Sequence, residues 1–218
     1  MTRSASEAES GTRTLWVAFG VIFLLFWVPL LGGEARLLGF SGGEIYGHAW
    51  VQWWHAEALW GWPSGTDLAV GTESWPVVDP LFTLLTAMMG RFLGFSFAWN
   101  AGIFAGVALT FWGGAFLARR AGGVPLIGGV GLTLSPIFLG SMASGLTEDA
   151  ALGLVAFSMG LLIYPKTPKD RIWGGVLLGL TAWMGLVLSF LAAWIMLFCG
   201  LHAMLKRKSA REWLLAGV

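Results

Sequence analysis

The stretch FAWNAGIFAGVALTFWGGAFLA, residues 97–118, carries no charged side chain and no proline, and its reading decides the fold. It is long enough as a helix to cross roughly 30 Å of hydrocarbon, and it lacks the alternation of a barrel strand. Comparable apolar runs occupy residues 15–31, 124–141, 150–164 and 172–205. The composition agrees: of 218 residues 56% are hydrophobic and 11% charged, with a mean hydropathy of +0.73. An average soluble domain is roughly 25% charged, and a water-soluble fold of this size could not hide so much apolar surface. Inside a bilayer every backbone polar group needs an internal partner, so these runs are expected to be helices. The expected fold class is therefore all-α, a polytopic membrane helical bundle.

Counting crossings requires two decisions. The run at 172–205 is about 34 residues, too long for one ordinary span, and is expected to form two short ones meeting near Leu186 to Ser189. That gives about six transmembrane helices. Residues 81–95 are apolar enough to form a seventh, but charge argues otherwise. With 81–95 lying at the interface, Arg3, Arg13, Arg119, Arg120, Lys166, Lys169, Arg171, Lys206, Arg207, Lys208 and Arg211 fall on one side, 11 of the 13 basic residues. Cytoplasmic loops carry such an excess. Expected boundaries are a cytoplasmic tail at 1–14, a transmembrane domain at 15–205 with an outer loop at 32–96, and a basic cytoplasmic tail at 206–218. The first run is about 17 residues and ends in Leu-Gly-Gly-Glu rather than a small-x-small cleavage site, so it is expected to be an uncleaved span. The expected location is the cell membrane, multi-pass, with both termini cytoplasmic.

A formal net charge of +1, with its basic residues scattered through short connectors, offers no nucleic-acid surface. Cys199 is the only cysteine, which excludes an intrachain disulfide and a cysteine-based zinc site. Glycine pairs at 113–114, 128–129 and 174–175 favour close helix packing. The topology sends Glu34, Glu44, Glu57, Asp67, Glu73, Asp79, Glu148 and Asp149 outward, 8 of the 12 acidic residues. Acidic residues do little to orient spans, so their clustering points to a use.

From Gly42 the outer loop reads GGEIYGHAWVQWWHAEALWGWPSGTD. At 3.6 residues per turn Glu44, His48, Gln52 and His55 form one polar stripe, while Trp50, Trp53, Trp54 and Trp60 cover much of the rest. This predicts an amphipathic helix lying along the membrane surface, indole rings at headgroup depth. Two roles fit the stripe: the wet face of an anchor, or a cleft in which Glu44 and His48 act on a lipid-linked substrate with Gln52, His55, Trp53 and Trp54 as contacts. Asp79-Pro80 marks irregular backbone before the apolar segment. Arg91 either snorkels to headgroups or meets a carrier phosphate. In the second outer loop, Glu148 and Asp149 start a helix that Thr147 or Ser144 could cap, their charges complementing its dipole. Alternatively they share a divalent cation with Glu44, oxygen ligands suiting Mg²⁺ or Mn²⁺; no metal is assigned.

Taken in order, these pieces resemble the N-terminal half of the GT-C class of membrane glycosyltransferases. The likeness runs over residues 15–205. It rests on Gly43-Glu44 after a first span, the Trp-rich helix His48-Ala-Trp50-Val-Gln-Trp53-Trp54, and a Pro-containing loop with an apolar segment at 76–95. It continues with Trp99-Asn100 opening the second span, Ser135-Pro136-Ile137-Phe138 in the third, and the acidic turn Gly145-Leu-Thr-Glu148-Asp149. The resemblance implies sugar transfer from a polyprenyl-phosphate donor at the outer face, Glu44 being the first-loop acid, a general base or metal-organising carboxylate, and Glu148 or Asp149 the second-loop acid. Members usually carry Asp at the first position and have eight or more spans, so this chain is expected to be one part of a longer or split protein, its last residues opening a further helix. Partners expected are membrane lipids and the lipid-linked donor. The alternative is a non-catalytic subunit that docks a membrane protein through its Trp-rich loop; a transporter fits less well, since charges sit at span ends.

Overall fold

A computed structural model describes residues 5–27, 37–38, 45–58 and 79–205, and among them every regular element is helical. In chain order these are α1 (Ala5–Trp27), α2 (Ile45–Ala58), α3 (Pro80–Leu93), α4 (Phe95–Arg120), α5 (Pro125–Thr133), α6 (Pro136–Ser144), a 3₁₀ turn (Thr147–Ala151), α7 (Leu152–Ile163), α8 (Pro168–Ala182) and α9 (Leu186–Leu205). Two segments, Phe95–Arg120 and the α5–α6 pair Pro125–Ser144, are long and apolar enough to cross a membrane, and Ser10–Phe26 and Pro80–Leu93 are shorter apolar helices.

The boundaries follow from proline and glycine. Pro80, Pro125, Pro136 and Pro168 each open a helix, where a missing N–H costs nothing and φ is already helical. Pro136 breaks the apolar run at 124–141: α5 stops at Thr133, and the Ser135 hydroxyl accepts from the Phe138 N–H at 3.3 Å to start α6. At Gly94 φ is +86°, which lets α4 begin immediately after α3 at a new angle. Two boundaries differ from expectation. α1 starts at Ala5, so residues 5–14 of the expected tail are the first turns of the same helix. The long run at 172–205 parts at residues 183–185, slightly earlier than the expected 186–189, where Met184 and Gly185 both donate to the Thr181 carbonyl.

Packing centres on α4, whose neighbours are α5 on one side, α7 on another, and α3 and α1 around the remainder. Trp99, Ile103, Val107 and Phe111 along it are wholly enclosed. Glycine sets the spacing. A Cβ on Gly113 would lie 2.4 Å from the Gly153 carbonyl oxygen of α7, and one on Gly114 would lie 2.3 Å from the Gly128 oxygen of α5. Backbones thus meet without intervening side chains, maximising dispersion contact.

At one end of α4, Arg120 reaches Asp170 at the start of α8 with an N–O distance of 2.6 Å, donates to the Tyr164 carbonyl at 3.2 Å, and stands over the Phe116 ring. Asp170 also accepts from the Lys166 N–H and the Thr167 hydroxyl, and these bonds hold its carboxyl well below the usual range. Towards the other end, the Trp99 indole donates to the Leu38 carbonyl at 3.0 Å while the Leu38 N–H donates to Asn100 Oδ1 at 2.8 Å. Two adjacent side chains of α4 therefore pin the start of the first long loop.

Close backbone contact makes a sharp expectation. A Cβ on Gly153 would fall 2.1 Å from the Leu109 carbonyl carbon, whereas one on Gly131 meets nothing within 4 Å. Gly153→Val should destabilise the protein by at least about 2 kcal/mol, and Gly131→Ala should not. Thermal unfolding of the two purified variants in detergent checks this; equal midpoints would refute the packing described.

Candidate functional site

Near the Trp99 end of α4, three short elements converge. α2 supplies His48 and Gln52, the start of α3 supplies Asp79, Thr83 and Thr86, and the 3₁₀ turn supplies Thr147, Glu148 and Asp149. His48, Gln52, Asp79, Thr83, Thr86 and Thr147 are all buried. Burying so many polar groups is unfavourable unless they bond one another, and they do.

Asp79 stands at the N-cap of α3 with φ 41° and ψ 69°, the only non-glycine residue with positive φ among those described. Left-handed backbone is unfavourable for a residue with a Cβ, and doubly so before proline. Its carboxylate explains the arrangement. Thr83, one turn into α3, donates to Asp79 Oδ1 at 3.0 Å, and Thr147 donates to Oδ2. The Thr147 oxygen in turn lies 3.0 Å from His48 Nδ1. A hydroxyl has one proton to give; when Thr147 gives it to Asp79, its oxygen is left to accept from His48 Nδ1. His48, Thr147 and Asp79 thus form one continuous chain joining three elements.

Burial raises the Asp79 carboxyl from its ordinary 3.8 to about 7; the two threonine hydroxyls oppose this, and the nearby charge of Glu148 adds to it. Glu148 itself is half-buried, and a Cβ on Gly185 would come within 2.9 Å of its own Cβ, so the α8–α9 corner leaves just enough room for it. That corner is also bonded to α3, the Leu81 N–H donating to the Trp183 carbonyl at 2.9 Å.

The residues expected from the sequence divide into those inside this cluster and those outside it. His48 is central. Gln52, one turn along α2, is fully enclosed; its Oε1 accepts from Thr86 at 2.8 Å, and its Nε2 has no hydrogen-bond partner among the described residues. Glu148 borders Asp79, but Asp149 turns away and accepts a hydrogen bond from Ser141 of α6. His55 is half-buried, bonded to the Val51 carbonyl at 2.8 Å, with Trp54 edge-on against its ring and buried. Trp53 points out at 46% exposure, and Arg91 is exposed near the far end of α3. Glu44 lies outside the described residues, immediately before Ile45, the first residue of α2.

Two details go beyond the sequence reading. Of the two directions open to the polar stripe of α2, His48 and Gln52 take the inward one, because the helix rests on α3 and reaches the 3₁₀ turn, whose hydroxyls match these polar groups. Thr147 does not cap a helix: Leu146 holds the cap position with no side-chain bond, and the Thr147 hydroxyl serves Asp79 and His48. Asp79 was legible only as an outer acid before a proline; the i, i+4 placement of Thr83 after it was the available hint. Among the described residues no group of three or more His, Cys, Asp or Glu side chains able to hold a metal occurs.

A raised carboxyl pKa links to stability with a definite sign. The folded chain keeps a proton on Asp79 that the unfolded chain has released, so this group weakens the fold progressively as pH rises from about 4 to about 7 and fully above that. Asp79→Asn removes the effect. Its thermal midpoint relative to the unaltered chain should rise between pH 5 and pH 8 by at least about 4 °C; parallel midpoints across that interval would contradict a neutral-range Asp79. Compared with known protein families, curated proteins and solved structures, the chain has no match.

Proposed function

We propose that this chain is a multi-pass membrane protein of six crossings that transfers a sugar from a lipid-phosphate donor at the outer face of the membrane. α1, α4, the α5–α6 pair, α7, α8 and α9 are the crossings in this arrangement, with α2 and α3 at the outer interface and the Arg120–Asp170 corner on the cytoplasmic side. Supporting it is the distribution of apolar surface. Trp16, Leu24, Trp173, Val187, Phe190 and Phe198 all point outward from α1, α8 and α9, a display far larger than a soluble monomer tolerates.

The observation that carries the transferase function is the buried His48–Thr147–Asp79 chain with Glu148 beside it. An anchor helix would turn His48 and Gln52 to water. Here instead a helix from the first outer loop presents a histidine to acid and hydroxyl groups from two other outer elements, the combination that general acid–base chemistry requires. Glycosyl transfer needs an acceptor hydroxyl to lose a proton while a phosphate leaves, and a phosphate leaving group needs little protonation. In this scheme Glu44, four residues before His48 in the sequence, orients the acceptor or takes its proton, and Glu148 stands near the donor phosphate or a divalent cation bound to it. Trp53 and the headgroup-level aromatics hold the lipid carrier.

Reconstitution tests this. Proteoliposomes containing the chain and a radiolabelled polyprenyl-phosphate sugar should transfer label to a hydroxyl acceptor, and Glu44→Gln should reduce the rate by about 100-fold or more while insertion and the thermal midpoint stay unchanged. Full activity in Glu44→Gln would remove Glu44 from the chemistry. If the unaltered chain transfers nothing yet co-purifies with a membrane protein and loses it on Trp53→Ala, the chain is a docking subunit instead.

A further inference from the structure

We propose that the groove between the first turns of α1 and the α4–α5 turn binds the phosphate of an anionic membrane lipid, with Arg119 as its charged contact. The site rests on the membrane placement above and not on the transferase reaction, since it lies at the end of α4 opposite the His48–Asp79 cluster.

Two adjacent arginines end α4, and only one of them is committed to the fold. Arg120 is held by Asp170, the Tyr164 carbonyl and the Phe116 ring. Arg119, its neighbour, points to a different side of the helix and is exposed, and no described residue forms a hydrogen bond or ion pair with its guanidinium. It lines an open groove of about 620 Å³, a size that suits an organic ligand rather than a bare ion. Thr12 and Thr14 of α1 share the lining with the apolar Leu15 of the same helix and Val124 and Leu126 at the start of α5. Glycine keeps the space clear, since a Cβ on Gly11 or on Gly122 would meet nothing within 4 Å.

Aromatic pairs set the depth of the groove. Trp16 lies against Trp112 with ring centroids 4.7 Å apart, Phe19 against Phe111 at 5.5 Å and Phe23 against Phe104 at 4.6 Å, so α1 runs antiparallel to α4. Trp16 turns outward at 58% exposure, and indoles favour the boundary between membrane and water. Thr12 lies one turn beyond it, away from the apolar part of α1, which puts the groove at headgroup level. Charge at this end favours an anion: Arg13, Arg119, Arg120, Lys166, Lys169 and Arg171 outnumber Asp170 together with Glu7 and Glu9 earlier in α1. A free phosphate would use the arginine and leave the apolar lining idle, whereas a phosphate that carries acyl chains uses both. Arginine suits the headgroup, its planar fork of N–H donors matching two phosphate oxygens at once.

Native mass spectrometry of the protein released from detergent micelles that hold equimolar phosphatidylglycerol and phosphatidylcholine reads the site directly. The unaltered chain should retain phosphatidylglycerol in preference, and excess inorganic phosphate should not displace it. Arg119→Gln should weaken that binding by about 5-fold, the contribution of one basic residue at a membrane surface. Gly11→Leu, which fills the groove and removes no charge, should weaken it at least as much. Lys169→Gln, which removes a charge from the same end but outside the lining, should leave it unchanged. Gly11, Arg119 and Lys169 are all exposed, so the three variants should keep the thermal midpoint of the unaltered chain. Equal retention of the two lipids, equal loss in Arg119→Gln and Lys169→Gln, or undiminished binding by Gly11→Leu overturns the site. Displacement by inorganic phosphate overturns the lipid as its occupant. A chain that stays monodisperse in water without detergent removes the membrane placement and the lipid site together, whereas selective lipid binding without any sugar transfer leaves the site standing and removes only the transferase.

Discussion

Backbone-to-backbone contact along α4 is the constraint on which the rest of the structure depends. Gly113 and Gly114 are adjacent in sequence and so point to different sides of the helix, one onto α7 and the other onto α5. A single helix is thereby gripped from two directions at distances that no larger residue permits. The same device recurs higher up, where a Cβ on Gly106 would stand 2.7 Å from that of Ala150, bringing the 3₁₀ turn flush against α4. Phe82 approaches the same helix at Gly102, so the start of α3 is brought in beside the turn. Thr147 and Asp79 meet because each is carried by an element seated on the glycine-bearing side of α4.

Enclosing a carboxyl, an imidazole, an amide and several hydroxyls in a bundle of this composition is a standing cost, offset only where each group finds a partner of the right polarity. Most do. Thr83 and Thr147 share the two oxygens of Asp79, and Thr86 serves Gln52 and, in the same geometry, the Phe82 carbonyl. Threonine suits the task, since its methyl group packs against apolar neighbours while its hydroxyl both gives and receives. A serine would bond as well but fill less space, and a valine would fill the space and leave a carboxylate oxygen without its donor.

Helix content and most helix boundaries are legible in the sequence because they depend on local chemistry: uninterrupted apolar runs, prolines that open helices at 80, 125, 136 and 168, and glycine pairs that announce close packing. The buried polar cluster is not legible in this way. His48, Asp79 and Thr147 are far apart along the chain, and what unites them is the seating of three elements on α4, a property of tertiary packing. A polar stripe on α2 is visible from periodicity, but periodicity gives the stripe and not its direction; His48 and Gln52 face inward because partners await them there. The break after Ala182 falls earlier than length alone suggests, at the turn where Met184 and Gly185 both donate to the Thr181 carbonyl, and a Cβ on Gly185 there would crowd Glu148.

Arg120 and Asp170 have a consequence of another kind. Asp170 is held ionised by the Lys166 N–H, the Thr167 hydroxyl and the Arg120 guanidinium, so its carboxyl lies well below the usual range, whereas burial brings that of Asp79 up to about 7. Both sit against α4, one near each end. A change of pH near neutrality is therefore felt asymmetrically: the charge at the α4–α8 corner stays as it is, while that of the cluster where α2, α3 and the 3₁₀ turn meet changes.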